Sequence, residues 1–351
     1  MSRTTPFISI ILVFICFCQS VPTATSAPNV LNVFAGDTNQ YARVNLTSGA
    51  LMANQSPNQL NCQPTLLGIV GYQGKDGVLV NGFSGCNWNA QVYLYNVTTN
   101  NYTPLYAAGS FQIDTMGGND INYQMFNHSI FYMSFSLIYN KYNLAVYSLT
   151  SSGQNVYYLI EMSNEINTFN GYLDESTSIY YMAYLYQNNS IAIYQMKVSG
   201  NFVVEKEEEE EVEQEPVYFD IPEMSLEHCV NNSASGEQLV TAYTYLAFQV
   251  YQGKLFVGTG CRNPGSPLYF AQLDMDTGNH KEILSIPHVT IPGFEEAFVF
   301  DPVTGYVAGF VHVSNSTLQV NMINLNTLDV TQSTIPNYFP NYTSVMSIQA
   351  I

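Results

Sequence analysis

The 351 residues carry 27 acidic against nine basic side chains, a formal net charge of -18 at pH 7. That balance excludes a nucleic-acid binder, whose phosphate contacts need Lys and Arg, and 46% hydrophobic residues exclude a disordered chain. Charged residues make up only 10%, whereas Tyr (27) and Phe (20) are abundant, a composition suited to half-buried pleated surfaces rather than to helices.

The first residues, MSRTTPFISIILVFICFCQSVPTATSAPNV, set Arg3 ahead of an apolar run from Phe7 to Cys18, then small residues from Ser20 to Ala27. This is the pattern of a signal peptide, with cleavage expected after one of the positions from Ser20 to Ala27. The apolar run has 12 residues, too few to cross a hydrocarbon core of roughly 30 Å. The C-terminal NYTSVMSIQAI has neither a long apolar tail nor a retrieval tetrapeptide. Residues 1–27 are therefore expected to be removed, leaving residues 28–351 as one domain, a soluble secreted product with no membrane span.

Taken in chain order, the rest alternates β-rich runs with polar turns. VLNVFAG supplies one strand before the hairpin YARVNLTSGALMAN. Five pairs of hairpins follow: TLLGIVGYQGKDGVLVNGF with QVYLYNVTTNNYTPLY, INYQMFNHSIFYMSFSL with LAVYSLTSSGQNVYYLI, INTFNGYLDESTSIYYMAYL with IAIYQMKVSGNFVVE, AYTYLAFQVYQGKLFVGTG with LYFAQLDMDTGNHKEIL, and EEAFVFDPVTGYVAGFVHV with LQVNMINLNTLDVTQSTI. Each reads as two runs rich in Val, Tyr, Phe and Ile around turn residues. The turns of the second hairpins lie near 49, 101, 153, 200, 278 and 327, about 50 apart except across one acidic segment. Four antiparallel strands per unit is the size of a propeller blade. The first unit lacks an innermost strand, which the C-terminal TSVMSIQAI can supply. The expected fold is all-β, a six-bladed β-propeller closed by pairing the two chain ends, an arrangement that removes exposed sheet edges.

The turns DMDTG, NLTSG and DPVTG resemble the D/N-x-x-T-G hairpins of quinoprotein-like propeller repeats. The resemblance implies a propeller and no particular activity. The single Trp88 departs from tryptophan-docked and W-D blades, and no kelch or sialidase motif recurs, so no functional residue carries over.

Nine N-x-S/T sequons fall at Asn45, Asn54, Asn96, Asn101, Asn127, Asn188, Asn231, Asn315 and Asn341, spread along the mature chain as N-glycosylation sites of a secreted protein. Once Cys16 and Cys18 leave with the signal peptide, Cys62, Cys86, Cys229 and Cys261 remain. An even number in an oxidising compartment reads as disulfides. The tetrapeptide Y-Q-G-K occurs in two units, each time with a cysteine before the first strand and one after the second. These are neighbouring ends of adjacent strands, so the expected bonds are Cys62 to Cys86 and Cys229 to Cys261.

The segment EKEEEEEVEQEPVYFDIPEMSLEHC holds 11 of the 27 acidic residues. It is expected as an insertion over 205–232 that leaves the outer strand of the fourth unit. A site for calcium or a cationic partner is one use of such charge, and a solvated loop is the ordinary one.

Catalytic motifs are absent from the sequence: no G-x-S-x-G elbow, no H-E-x-x-H, no phosphate loop. His128, His228, His280, His288 and His312 lack ligand-like spacing. Asp120, Glu165 and Glu296 each stand just before or at the start of an expected innermost strand and could converge on the channel mouth to hold calcium. Two functions follow. The first is an extracellular binding or structural protein whose partner is a protein or a glycan, and the second is a calcium-dependent extracellular hydrolase using those three carboxylates.

Overall fold

The computed structural model describes residues 27–35, 40–55, 64–73, 77–84, 90–96, 101–104, 124–126, 129–138, 141–150, 153–161, 166–198, 216–224, 244–261, 266–289, 297–301, 304–314, 317–336 and 344–349. Its strands form antiparallel sheets of four. The first holds β1 (Val30–Ala35), β2 (Gln40–Asn45), β3 (Leu51–Gln55) and the C-terminal β24 (Ser344–Gln349) in the order β24-β1-β2-β3. The second runs through β4 (Pro64–Gln73), β5 (Gly77–Ser84), β6 (Ala90–Asn96) and β7 (Asn101–Pro104). The third comprises β8 (Gln124–Phe126), β9 (Ser129–Ile138), β10 (Lys141–Thr150) and β11 (Gly153–Glu161). In the fourth, β12 (Ile166–Asp174), β13 (Ile179–Tyr186), β14 (Ser190–Lys197) and β15 (Val217–Asp220) follow in order. The fifth contains β16 (Thr244–Tyr251), β17 (Lys254–Cys261), β18 (Ser266–Asp274) and β19 (Asn279–Val289). The sixth is built of β20 (Phe298–Asp301), β21 (Tyr306–Ser314), β22 (Thr317–Asn324) and β23 (Val330–Pro336).

The core lies between sheets. In β16, Leu246, Phe248 and Val250 enter one cluster with Tyr181, Ile191 and Phe219 of the fourth sheet. Tyr245 and Ala247, on the opposite face of the same strand, pack with Phe298 and Val307 of the sixth. A strand buried on both faces reads as a nearly continuous apolar run, which is why TYLAFQVY shows so little polar alternation. Two further clusters join the third sheet to the fourth and the sixth to the first. The first strands of successive sheets meet as neighbours, β12 against β16, β16 against β20, and β20 against β24.

The D/N-x-x-T-G sequences, and the related NLNTL at residues 324–328, fold into one repeated turn. The first residue's side chain accepts hydrogen bonds from the backbone two and three positions on: Asn45 Oδ1 from Thr47 N and Ser48 N, Asp274 Oδ1 from Asp276 N and Thr277 N, and Asn324 Oδ1 from Asn326 N and Thr327 N. Such Asx turns let a short polar side chain mimic a backbone turn. The fifth residue then donates its N–H to the first residue's carbonyl with positive φ, as at Gly49, Gly278, Gly305 and Leu328. The Y-Q-G-K copy at Tyr251 to Lys254 pairs its two ends directly, and Gln252 and Gly253 take φ of 50° and 73°. Positive φ at both central residues matches the twist of the flanking strands in a two-residue hairpin.

One sequence expectation is corrected. IAIYQMKVSGNFVVE was read as a complete hairpin, with the acidic run following the outer strand. The ladder of β14 is instead formed with Val217–Asp220, Ile191 opposite Phe219. The acidic residues from Glu205 to Glu215 therefore lie between the third and fourth strands of that sheet. The reason is burial: Phe219 and the following Ile221 and Met224 all enter the core shared with the fifth sheet, and that tertiary packing selects the strand.

Candidate functional site at the first-strand ends

The residues that gather where the described strands meet stand at the C-terminal ends of β12, β16 and β20. Tyr172 is two residues before the Asp174 turn, Tyr251 ends β16, and Phe300 precedes Asp301. The Phe300 ring lies 6.2 Å from Tyr172 and 6.1 Å from Tyr251, edge-on to both at 65° and 81°. Such edge-to-face geometry is the favoured aromatic pairing. Tyr172 belongs to the fourth sheet and Phe300 to the sixth, so the pair bridges past the end of the fifth sheet's first strand. Tyr251 is seated against Gly305, where a β-carbon would stand 2.3 Å from its ring. Its hydroxyl accepts from Asn326 Nδ2 at 3.4 Å.

Two amides stand one step inward on the same strand faces, since residues i and i+2 share a face. Asn170 precedes Tyr172, and Gln249 precedes Tyr251. Asn170 Nδ2 donates to the Leu246 carbonyl at 2.6 Å, tying β12 to β16. Among the described residues Asn170 Oδ1 and Gln249 Nε2 find no hydrogen-bond partner, although each residue is only 4% exposed. By contrast, Asn321 is satisfied, its Nδ2 donating to Gly309 O and its Oδ1 accepting from Gln319 Nε2.

Carboxylates frame the rings. Asp174 Oδ1 accepts from Ser176 N and Oγ, and Oδ2 from Thr177 Oγ1 at 2.9 Å. Thr304 Oγ1 donates to Asp301 Oδ2 at 2.6 Å. Burial, aided by Glu175 and Asp174, pushes the Tyr172 phenol well above its ordinary range. Glu175 is itself raised, first by partial burial and then by the Asp174 charge.

Of the residues singled out from sequence, Asp120, Glu165 and Glu296 lie outside the described residues, as do Cys62, Cys86, Cys229, Asn127, Asn231, Asn315, Asn341, His128 and His228. β12 begins at the residue after Glu165, and β20 two residues after Glu296. Cys261 closes β17, and His288, Asn54, Asn96 and Asn101 lie in strands, Asn96 opposite Asn101. Asn45 and Asn188 lie on hairpin turns. Asn188 is exposed, its Oδ1 accepting from Ser190 N and Ser190 Oγ at 3.0 and 2.6 Å. His280 Nε2 stands 3.5 Å from Glu223 Oε2, and partial burial lowers the pKa of His312. Among the described residues no group of three or more His, Cys, Asp or Glu side chains could hold a metal ion, and no helix is long and apolar enough to cross a membrane.

Sequence reasoning searched for carboxylates and histidines and so missed Tyr172, Tyr251, Phe300, Asn170 and Gln249. One signal was legible: GYLDEST, VYQGK and VFDPVTG each put an aromatic residue one or two positions before a first-hairpin turn.

No model of a known protein family matches the chain, and no curated protein matches it. Solved structures do. TolB from Acinetobacter baumannii is similar at 12% identity and a TM-score of 0.51, over 94% of this chain and 68% of that one. A putative 6-phosphogluconolactonase from Bacteroides fragilis is similar at 11% identity and a TM-score of 0.46, over 94% and 100%. One of two prolyl endopeptidases matches at 9% identity and a TM-score of 0.40, over 90% and 51%. Likeness at such identity shows fold alone. The class is accordingly an all-β protein of propeller-like fold.

Proposed function

We propose that the chain is a secreted, N-glycosylated six-bladed propeller, closed by β24 beside β1, that acts as an extracellular binding protein for a protein or glycan partner. The observation that carries this reading is the cluster of the Tyr172, Tyr251 and Phe300 rings at the ends of three first strands. It offers apolar surface edged by phenol hydroxyls, chemistry suited to recognition. The leader at residues 1–27, the sequons and the four remaining cysteines support the compartment. Asn188, on an exposed turn, is the acceptor best supported by geometry.

The test is expression of the full chain in cultured eukaryotic cells. The protein is expected in the medium, with a mass that falls on N-glycosidase treatment and a tryptic peptide converted from Asn188 to Asp. Retention inside the cells without glycan would overturn the reading. Calcium titration followed by thermal melting separates the hydrolase alternative: a calcium-dependent rise in Tm, lost in a Glu165→Gln, Glu296→Gln double variant, would favour the metal site over simple binding.

A further inference from the structure

We propose that Tyr218 is a tyrosine O-sulfation site, modified during secretion by an enzyme that carries an adenosine phosphosulfate donor. This rests on the secretory reading above and adds a covalent site to it.

Tyr218 lies in β15, the outermost strand of the fourth sheet. The next residue holds it outward. Phe219 is fully buried in the core shared with the fifth sheet, and successive residues of a strand face opposite sides, so Tyr218 and Asp220 share the outer face. Tyr218 is 57% exposed. It is the one exposed tyrosine among the described side chains, whereas Tyr180, Tyr184, Tyr245 and Tyr269 are fully buried. Its ring keeps a tilted contact with Tyr186 at 6.5 Å, which steadies it at the surface.

The surroundings are acidic in sequence and in space. EQEPVYFDIPE sets Glu213, Glu215, Asp220 and Glu223 around Tyr218, and no Lys or Arg occurs between Lys206 and Lys254. Asp220 and Glu223 are exposed. The DMDTG turn of the fifth sheet lies against the strand, since a β-carbon on Gly278 would stand 3.5 Å from the Tyr218 carbonyl, and Asp274 and Asp276 of that turn are exposed. His280 Nε2 stands 3.5 Å from Glu223 Oε2 and offsets that carboxylate only when protonated. A cleft that holds an anionic phosphosulfate is basic, and a basic cleft draws in an exposed phenol set among carboxylates.

In the transfer the phenol oxygen attacks the sulfur and its proton passes to a base of the enzyme. The sulfur–oxygen bond to phosphate breaks, and adenosine bisphosphate leaves with that electron pair. Tyr218 then carries a sulfate ester and one more negative charge. A phosphate ester on the same oxygen would place about two negative charges beside these carboxylates, so the sulfate is the better fit.

The test is secretion of the full chain from cultured eukaryotic cells fed radiolabelled sulfate, followed by N-glycosidase treatment to remove sulfated glycan. Label should stay on the secreted protein, map to the tryptic peptide from Glu207 to Lys254, and disappear when chlorate blocks synthesis of the donor. Tyr218→Phe keeps the ring and its Tyr186 contact, so it should reach the medium in wild-type amount and yet lose that label. An Asp220→Asn, Glu223→Gln double variant should carry less label by about threefold or more. Any of four results would overturn the proposal: secreted wild type without label after glycan removal, label on that peptide in Tyr218→Phe, labelling unchanged in the double variant, or phosphate in place of sulfate on Tyr218. Wild type that reaches the medium unlabelled would sink the sulfation alone, whereas failure to be secreted would sink the reading beneath it as well.

Discussion

Phe298 packs its ring directly on Gly258 of the neighbouring sheet, where a β-carbon would stand 2.6 Å from Phe298 Cδ2. The same ring covers Gly309, its cross-strand partner, at 2.7 Å, and lies 5.2 Å from Phe270. The fifth and sixth sheets therefore meet through one aromatic ring fitted between two glycines.

Gly258→Ala should consequently destabilise the protein by about 1 to 3 kcal/mol, the usual cost of overpacking a filled core. Denaturant unfolding checks this. Gly253→Ala makes a useful contrast: it has open space but φ of 73°, so its loss should stay near 1 kcal/mol, from backbone strain alone. A Gly258→Ala protein as stable as wild type would mean that the ring is not fixed there.

Ser178 occupies the left-handed region with φ of 56° while its carbonyl accepts the Val198 N–H. Related turns use glycine at Gly49, Gly278 and Gly305. Ser178→Gly should keep the hydrogen bond, relieve the β-carbon clash, and gain up to about 1 kcal/mol. A fall in Tm on scanning calorimetry would count against this account of the turn.

Glu175 gives a pH signature. Its pKa is raised above 4.5 by partial burial and the Asp174 charge, so the folded protein holds that proton more tightly than the unfolded chain. Its favourable contribution is complete below the unfolded value and is lost as pH rises through the folded one. Glu175→Gln should therefore melt above wild type at pH 7, and the difference should vanish near pH 4. The same increment at both pH values would mean that ionisation is not its cause.

The fold was legible where period and turn chemistry agreed. YARVNLTSGALMAN and LQVNMINLNTLDVTQSTI pair as their alternation indicates, because an Asx-bearing turn fixes register on both sides. The fourth sheet was legible only in part. NFVVE satisfies the local β pattern as well as VYFD does, and the choice between them depends on Phe219 filling a cavity made by another sheet, which is tertiary information. The candidate site was harder still. Tyr172, Tyr251 and Phe300 look like ordinary strand residues one at a time, and their meeting is created by three sheets converging.

Disulfide mapping by peptide mass spectrometry under non-reducing conditions, on protein recovered from medium, tests the secreted propeller most directly. Peptides linking Cys62 to Cys86 and Cys229 to Cys261 are the predicted result, with a mature N-terminus between residues 21 and 28. Free thiols at these positions would contradict the oxidising compartment, and bonds joining Cys62 or Cys86 to Cys229 or Cys261 would contradict the equivalence of the two units that share Y-Q-G-K.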